Sequence, residues 1–162
     1  MKTYIFDFDM TLTKVHVYNE YFIKKNKNII EDKYIFRNII LEKFDSFVKN
    51  QLHNNNKIII CSFNEKKIIK HCLKNILDEK IIKKISIITP KTYAMSINEV
   101  STKKFQGINI KQVFVKSILE INNIPKDIYF YDDDITNIFD VKKLRVNCYH
   151  VTNDSDFNVL LS

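Results

Sequence analysis

Short, unbroken apolar runs alternate with helical stripes along this chain. Residues 3–8, 57–61, 86–89, 127–131 and 145–151 are rich in Ile, Tyr, Phe and Val and read as strands. Several lack the polar alternation of a strand with one wet face, so they fit a sheet covered on both sides. Between them, apolar residues recur at helical spacing. Ile40, Phe44, Phe47, Val48 and Leu52 do so within 36–53, and Ile68, Ile69, Cys72, Leu73 and Ile76 within 65–77. Ile110, Val113, Phe114, Ile118 and Ile121 do so within 110–122, with Asn109 placed to cap that helix. A shorter helix is expected at 135–143. This alternation predicts an α/β fold, a doubly wound, mainly parallel five-stranded sheet between helices.

Two stretches interrupt the rhythm. Residues 13–35 and 91–106 are long for plain connections. We expect a small flap or insertion in the first and an extended connection with short helices in the second. Neither can form a large cap domain, so residues 1–162 read as a single domain. Asn54-Asn55-Asn56 reads as a turn before the second strand.

Composition narrows the function. The chain of 162 residues has 45% hydrophobic and 28% charged residues, which suits a folded, water-soluble unit. One glycine, Gly107, and two prolines, Pro90 and Pro125, exclude a glycine-rich phosphate loop and long flexible linkers. The net charge of +7 comes almost wholly from scattered lysines, since Arg37 and Arg145 are the only arginines. A solvated lysine coat explains it; attraction of anionic partners, nucleic acid included, is the sharper reading, and no nucleic-acid motif supports it. Cys61, Cys72 and Cys148 show no paired spacing and fit buried thiols in a reducing, intracellular compartment. The cytoplasm is the simplest location, with the nucleus as the alternative. The opening Met1-Lys2-Thr3 does not read as a signal peptide, and no apolar stretch is long enough to span a bilayer.

Chemistry gathers at the predicted strand ends. Asp7 and Asp9 end the first run, Ser62 ends the second, and Asp132, Asp133 and Asp134 end the fourth. Ligands of doubly wound sheets bind beyond these carboxyl ends. If the strands are neighbours, about 5 Å apart, these groups meet in one crevice. Crowded carboxylates either hold protons or recruit a cation, and oxygen ligands of this kind suit Mg²⁺. A lysine beside them would complete an anion site. Asp134 reads as the N-cap of the following helix, Asn64 and Glu65 as the start of another, and Tyr131 as core.

Together, Asp7-x-Asp9-x-Thr11, Ser62, a lysine and Asp132-Asp133-x-x-x-Asn137 resemble the four ordered motifs of the haloacid dehalogenase (HAD) superfamily. Within it, the stretch from Phe130 to Ile138 is similar to the small magnesium-dependent phosphatases that lack a large cap. The resemblance implies hydrolysis of a phosphomonoester through an aspartyl-phosphate. It makes Asp7 the nucleophile, and Asp9 the general acid and then base. It implies Mg²⁺ bound by Asp7, by the carbonyl of Asp9 and by Asp133, with Asp132 either binding the ion or supporting its ligands. Ser62 and a lysine would hold the phosphoryl oxygens. Lys111 fits that lysine best, with Lys104, Lys116 and Lys91 as alternatives. Thr11 would support the first-motif loop, and Asn137 would orient the metal ligands or the lysine.

Other classes remain open at this level. A receiver-like signalling domain also forms an aspartyl-phosphate, but on a middle strand, and here the third strand ends in Thr89-Pro90 without an Asp. A catalytically silent relative serving as a scaffold, and a phosphatase for nucleotides or nucleic-acid ends, are the remaining alternatives. The expected partner is a phosphorylated substrate, in an open crevice that accepts a macromolecular ester. Oligomeric state has no signature in the chain.

Overall fold

In the computed structural model, which describes residues 1–122 and 124–161, the five apolar runs form five strands. These are β1 (Thr3–Phe6), β2 (Lys57–Cys61), β3 (Ser86–Ile88), β4 (Ile128–Asp132) and β5 (Asn147–His150). Each pairs in parallel with its neighbours in the order β3-β2-β1-β4-β5. The helices are α1 (Asn38–His53), α2 (Lys66–Leu73), α3 (Glu79–Ile82), α4 (Ile97–Phe105), α5 (Ile110–Asn122), α6 (Ile135–Lys142) and α7 (Asn158–Leu161).

Strand side chains alternate between two apolar layers, which is why the runs are unbroken. Tyr4, Phe6, Ile58 and Ile60 pack with Phe44 and Val48 of α1, Ile69 and Leu73 of α2 and Leu161 of α7. Ile5, Ile59, Cys61 and Phe130 enter the opposite layer with Phe114 and Ile118 of α5 and Val141 of α6. The architecture is therefore the expected doubly wound α/β sandwich, all parallel, with no large cap domain among the described residues.

Several boundaries differ from the sequence reading. The first strand ends at Phe6 and not at residue 8, because the chain leaves the sheet at Asp7 and winds into a single wide turn, Phe8–Leu12. Met10 sits in that turn at φ 64°, in the left-handed region that favours glycine. The helix expected over 65–77 stops at Leu73. Asn75 instead donates to the carbonyl of Ile30 at 2.7 Å, and the separate helix α3 follows. The last strand starts at Asn147, since Arg145 adopts φ 61° in the preceding turn. Nothing in the sequence pattern predicted the final turn Asp154–Phe157 and α7, although Phe157 and Leu161 are buried in the core.

Residues 13–35 form an excursion with a closed base. Thr13 bridges Phe36, Lys14 N–H donates to Ile35 O at 2.8 Å, and Arg37 N–H donates to Leu12 O at 3.1 Å. Inside it are short helical turns, Asn19–Ile23, Lys27–Glu31 and Lys33–Ile35, and a cluster of Tyr18, Tyr21 and Phe22 rings with Lys27 above Tyr21. The stretch after β3 holds the turn Pro90–Tyr93 and then α4. Gly107, at φ 75°, closes α4: its N–H donates to Lys104 O and that of Ile108 to Lys103 O, the paired bonds of a left-handed helix stop.

Candidate active site

The strand order places β1 between β2 and β4. Chain connections reverse direction across the β1–β4 pair, and an open crevice forms at such a switch. Register completes the arrangement. Phe6 pairs with Tyr131, and Asp7 N–H donates to Tyr131 O at 2.8 Å, so the residues that follow, Asp7 and Asp132, lie side by side.

Lys111 comes to the same point from the first turn of α5, and it is only 1% exposed. Its ammonium donates to Asp7 Oδ1, to the Cys61 carbonyl at the end of β2, and to Asp132 Oδ2 at 3.3 Å. Thr11 Oγ lies 3.1 Å from Asp7 Oδ2 and 3.2 Å from Asp133 Oδ1, so its single proton is shared between two carboxylates. Asp132 is fully engaged. Its Oδ1 accepts from Asp134 N–H at 2.9 Å, and Asn137 Nδ2 donates to both of its oxygens, at 3.0 and 3.1 Å. Burial pushes the Asp7 carboxyl up, Lys111 pulls it back, and Asp132 pushes it up again. Burial opposes the charge on Lys111, but Asp7 and Asp132 outweigh it and hold the ammonium protonated. Asp133 is raised by burial and then by Asp132.

These residues fit a hard divalent cation. Oxygens of Asp7, Asp132 and Asp133 lie within 4.8 Å of one another. Three carboxyl groups face one ammonium, so when all three are ionised two negative charges are in excess, and all the donors are oxygens. Of the three, Asp7 and Asp133 have the freer oxygens, because Asp132 is already bound by Lys111, Asn137 and the Asp134 amide.

Asp9 belongs to a different neighbourhood. The turn carries its carboxylate away from the acidic cluster, which it does not join. Its Oδ1 accepts from Val17 N–H at 2.8 Å, and Asn64 Nδ2 donates to Oδ2 at 3.2 Å. Burial raises its pKa, and the Val17 amide is the largest influence pulling it back.

Ser62 is buried directly after β2, where its Oγ accepts from Asn64 N–H at 3.1 Å. Lys104 lies exposed above the Phe63 ring, and Lys91 and Lys116 are exposed as well, so Lys111 is the lysine brought to the carboxylates. Asp134 caps α6 by accepting from Thr136 N–H at 2.8 Å. Asn64 does not open a helix, as its position in the chain had suggested. It is buried beside Asp9, and α2 begins at Lys66.

Sequence reasoning missed Arg37, Asn64 and Val17. Arg37 is buried and donates to the carbonyls of Thr11 and Met10, bracing the first-motif turn. Its only signal was rarity among many lysines. Asn64 directly follows Ser62-Phe63 at a strand end, a usable cue. Val17 acts through its backbone, which no side-chain pattern reveals.

No family model matches the sequence, and neither does any curated protein. Solved structures do resemble the fold. The HAD domain of the effector protein Lem4 from Legionella pneumophila superposes with a TM-score of 0.57 at 19% identity, covering 92% of this chain and 85% of that one. The HAD fold is therefore the fold of this chain. The Legionella pneumophila effector Ceg4 gives a TM-score of 0.62 at 15% identity, over 92% of this chain and 85% of that chain. A HAD-family enzyme of Bacteroides thetaiotaomicron, in complex with magnesium and inorganic phosphate, gives 0.58 at 15% identity over 100% of both chains. Across the HAD fold of this protein, the carboxylates stand at the carboxyl ends of β1 and β4, where that fold opens. Among the described residues, no helix is long and apolar enough to cross a membrane.

Proposed function

We propose that this protein is a Mg²⁺-dependent phosphatase that hydrolyses phosphomonoesters through an aspartyl-phosphate on Asp7. The observation that carries the reading is the meeting of Asp7 with Lys111, Thr11, Asp132 and Asp133 at one strand end. Asp7, Asp133 and Asp132 would hold the ion, together with the Asp9 carbonyl. Bound Mg²⁺ would offset the surplus negative charge of the carboxylates and of the incoming phosphate.

The chain's own residues account for the two steps. An Asp7 oxygen attacks phosphorus, the ester P–O bond breaks, and protonated Asp9 gives its proton to the leaving oxygen. Asp9, now a carboxylate, then takes a proton from water. That water attacks phosphorus, the bond to Asp7 breaks, and inorganic phosphate leaves. Burial favours the protonated start of Asp9, while Val17 N–H and Asn64 stabilise the carboxylate it becomes. Lys111 neutralises Asp7 and the phosphoryl group. Ser62, whose oxygen already accepts from Asn64 N–H, has its hydroxyl hydrogen to offer a phosphoryl oxygen. Thr11 steadies the two carboxylates it bridges, and Asn137 fixes Asp132.

The substrate class we propose is an exposed phosphate on a larger molecule, since no large cap domain covers the strand ends among the described residues. The buried, unpaired thiols of Cys61 and Cys72 fit a reducing, cytoplasmic setting. The test is release of phosphate from an aryl phosphate with and without Mg²⁺, in the parent protein and in Asp7→Asn. Mg²⁺-dependent release that vanishes in the variant supports the reading, and release that survives Asp7→Asn overturns it.

A further inference from the structure

The Lys111–Asp132 pair is held from behind by a chain of amides that runs in one direction. It begins at the N-terminus of α5. Asn109 Oδ1 accepts from Gln112 N–H at 3.1 Å, so its carbonyl is committed to capping the helix that carries Lys111. Its Nδ2 must then face the other way. There it donates to Asn137 Oδ1 at 3.1 Å and to Asp140 Oδ2 at 3.0 Å. Asp140 is kept ionised by Lys143, 2.6 Å away, and can only accept. The orientation of Asn109 is thus set twice, once by a backbone donor and once by a carboxylate.

That orientation determines the next one. With Asn137 Oδ1 occupied by Asn109, the Asn137 amide nitrogen must point to Asp132, to whose oxygens it donates at 3.0 and 3.1 Å. A reversed Asn137 would set its carbonyl oxygen against a buried carboxylate. Gln112 adds a second tie between the helices, donating from Nε2 to Asp140 O at 2.6 Å.

We infer that Asn109 is a positioning residue, which locks the Asn137 amide so that its nitrogen faces Asp132 and so fixes the carboxylate that pairs with Lys111. The consequence for turnover rests on the phosphatase reading; the orientation of the amides does not.

Capping alone and positioning predict different orders among variants. Asn, Asp and Ser cap helices about equally well, so a role in capping and in the bond to Asp140 predicts a loss of stability with the Asn137 exchange and the kcat of the parent kept. The positioning role predicts otherwise. Asn109→Ser keeps the cap and loses both amide donors, freeing Asn137 to turn. Asn109→Asp keeps the cap but places oxygen against Asn137 Oδ1, so Asn137 reverses and presents its carbonyl to Asp132.

Two measurements decide. The first is side-chain amide proton exchange of Asn137 by NMR in the metal-free protein. It should quicken about tenfold in Asn109→Ser, the size expected for loss of one hydrogen bond. The second is kcat with an aryl phosphate, which should fall about tenfold in Asn109→Ser and further in Asn109→Asp, with KM little changed; the melting temperature should drop in both, and more in Asn109→Asp, whose new carboxylate faces that of Asp140. Unchanged Asn137 exchange in both folded variants overturns the inference, as does a kcat equal to that of the parent in both. Should the parent itself release no phosphate, the phosphatase reading falls, and amide exchange alone decides the role of Asn109.

Discussion

The two carboxylates of the first motif are two residues apart and live in opposite kinds of environment. Asp7 is surrounded by charge: Lys111 on one oxygen, Thr11 on the other, and Asp132 and Asp133 beside it. Asp9 is held mainly by neutral donors, the Val17 amide and the Asn64 side chain, with the His16 imidazole as the one titratable group that favours its charge. In the proposed reaction Asp7 must be ionised to attack phosphorus, and such a group gains from a fixed cation. A group that must give and then recover a proton gains from partners that tolerate both of its states. The turn Phe8–Leu12, with Asp9 extended and Met10 left-handed, makes the separation: Thr11 returns to Asp7 while the Asp9 carboxylate stays outside the cluster.

Substitutions on the charged side should have the largest effects. Asp7→Asn removes the attacking oxygen, and turnover should fall by about 10⁴-fold or more, as for other covalent nucleophiles. Steady-state phosphate release measures it. Lys111→Met should cost about 3–5 kcal/mol of stability, because Asp7 and Asp132 would then be buried without their ammonium. For a chain of this size that is a drop of about 6–20 °C in melting temperature. A melting curve that does not move would show that Lys111 is not what holds the cluster together.

The neutral side should separate chemistry from stability. Asp9→Asn loses no ion pair, so its melting temperature should stay close to that of the parent. Turnover of an alkyl phosphate should still fall by about 10²–10⁴-fold, the range for loss of a general acid or base. Equal damage to fold and to rate would erase the contrast between the two carboxylates.

Legibility in the sequence follows the same divide. The charged side was readable because its carboxylates, Asp7, Asp132 and Asp133, are side chains at strand ends and Lys111 stands at the start of a periodic helix. The apolar runs also marked the strands correctly, since a doubly covered strand must be apolar on both faces. The neutral side was hidden. Val17 contributes a backbone N–H, Asn64 looked like a helix opener, and Arg37 works through carbonyls of the turn. Hydrogen bonds to main chain depend on how residues 13–35 close over the turn, which no local pattern encodes. α7 escaped for another reason, because four residues are too short for periodicity to register.

Metal and pH sharpen the comparison with a smaller effect. Burial raises the carboxyls of Asp7 and Asp133 above their ordinary range. Between the unfolded value, about 4, and the raised folded values, the metal-free folded state holds more protons than the unfolded chain. Its stability therefore falls as pH rises through that window. Mg²⁺ competes with those protons, so its stabilising effect should be slight near about pH 5 and grow toward about pH 8. At a concentration about a hundredfold above its Kd the gain is about 2.7 kcal/mol, or about 5–10 °C in melting temperature. Thermal melts with Mg²⁺ across pH provide the check, and a gain independent of pH would mean that the ion binds away from these carboxylates.

The smallest effect tests the neutral side alone. Asn64 donates to Asp9 and favours its charged form. Asn64→Ala removes that donor while Val17 N–H stays, so the Asp9 carboxyl should move further up. In the proposed mechanism Asp9 carries the proton that the leaving alkoxide needs, so the alkaline limb of kcat/KM for an alkyl phosphate should report its pKa. Loss of one neutral hydrogen bond, about 0.5–1.5 kcal/mol, corresponds to a rise of about 0.4–1 pH unit. The limb should shift upward by that amount in Asn64→Ala and stay in place with an aryl phosphate whose leaving group needs no proton. A limb that shifts equally for both substrates would assign it to a group other than Asp9, and would leave Asn64 a structural partner of the turn.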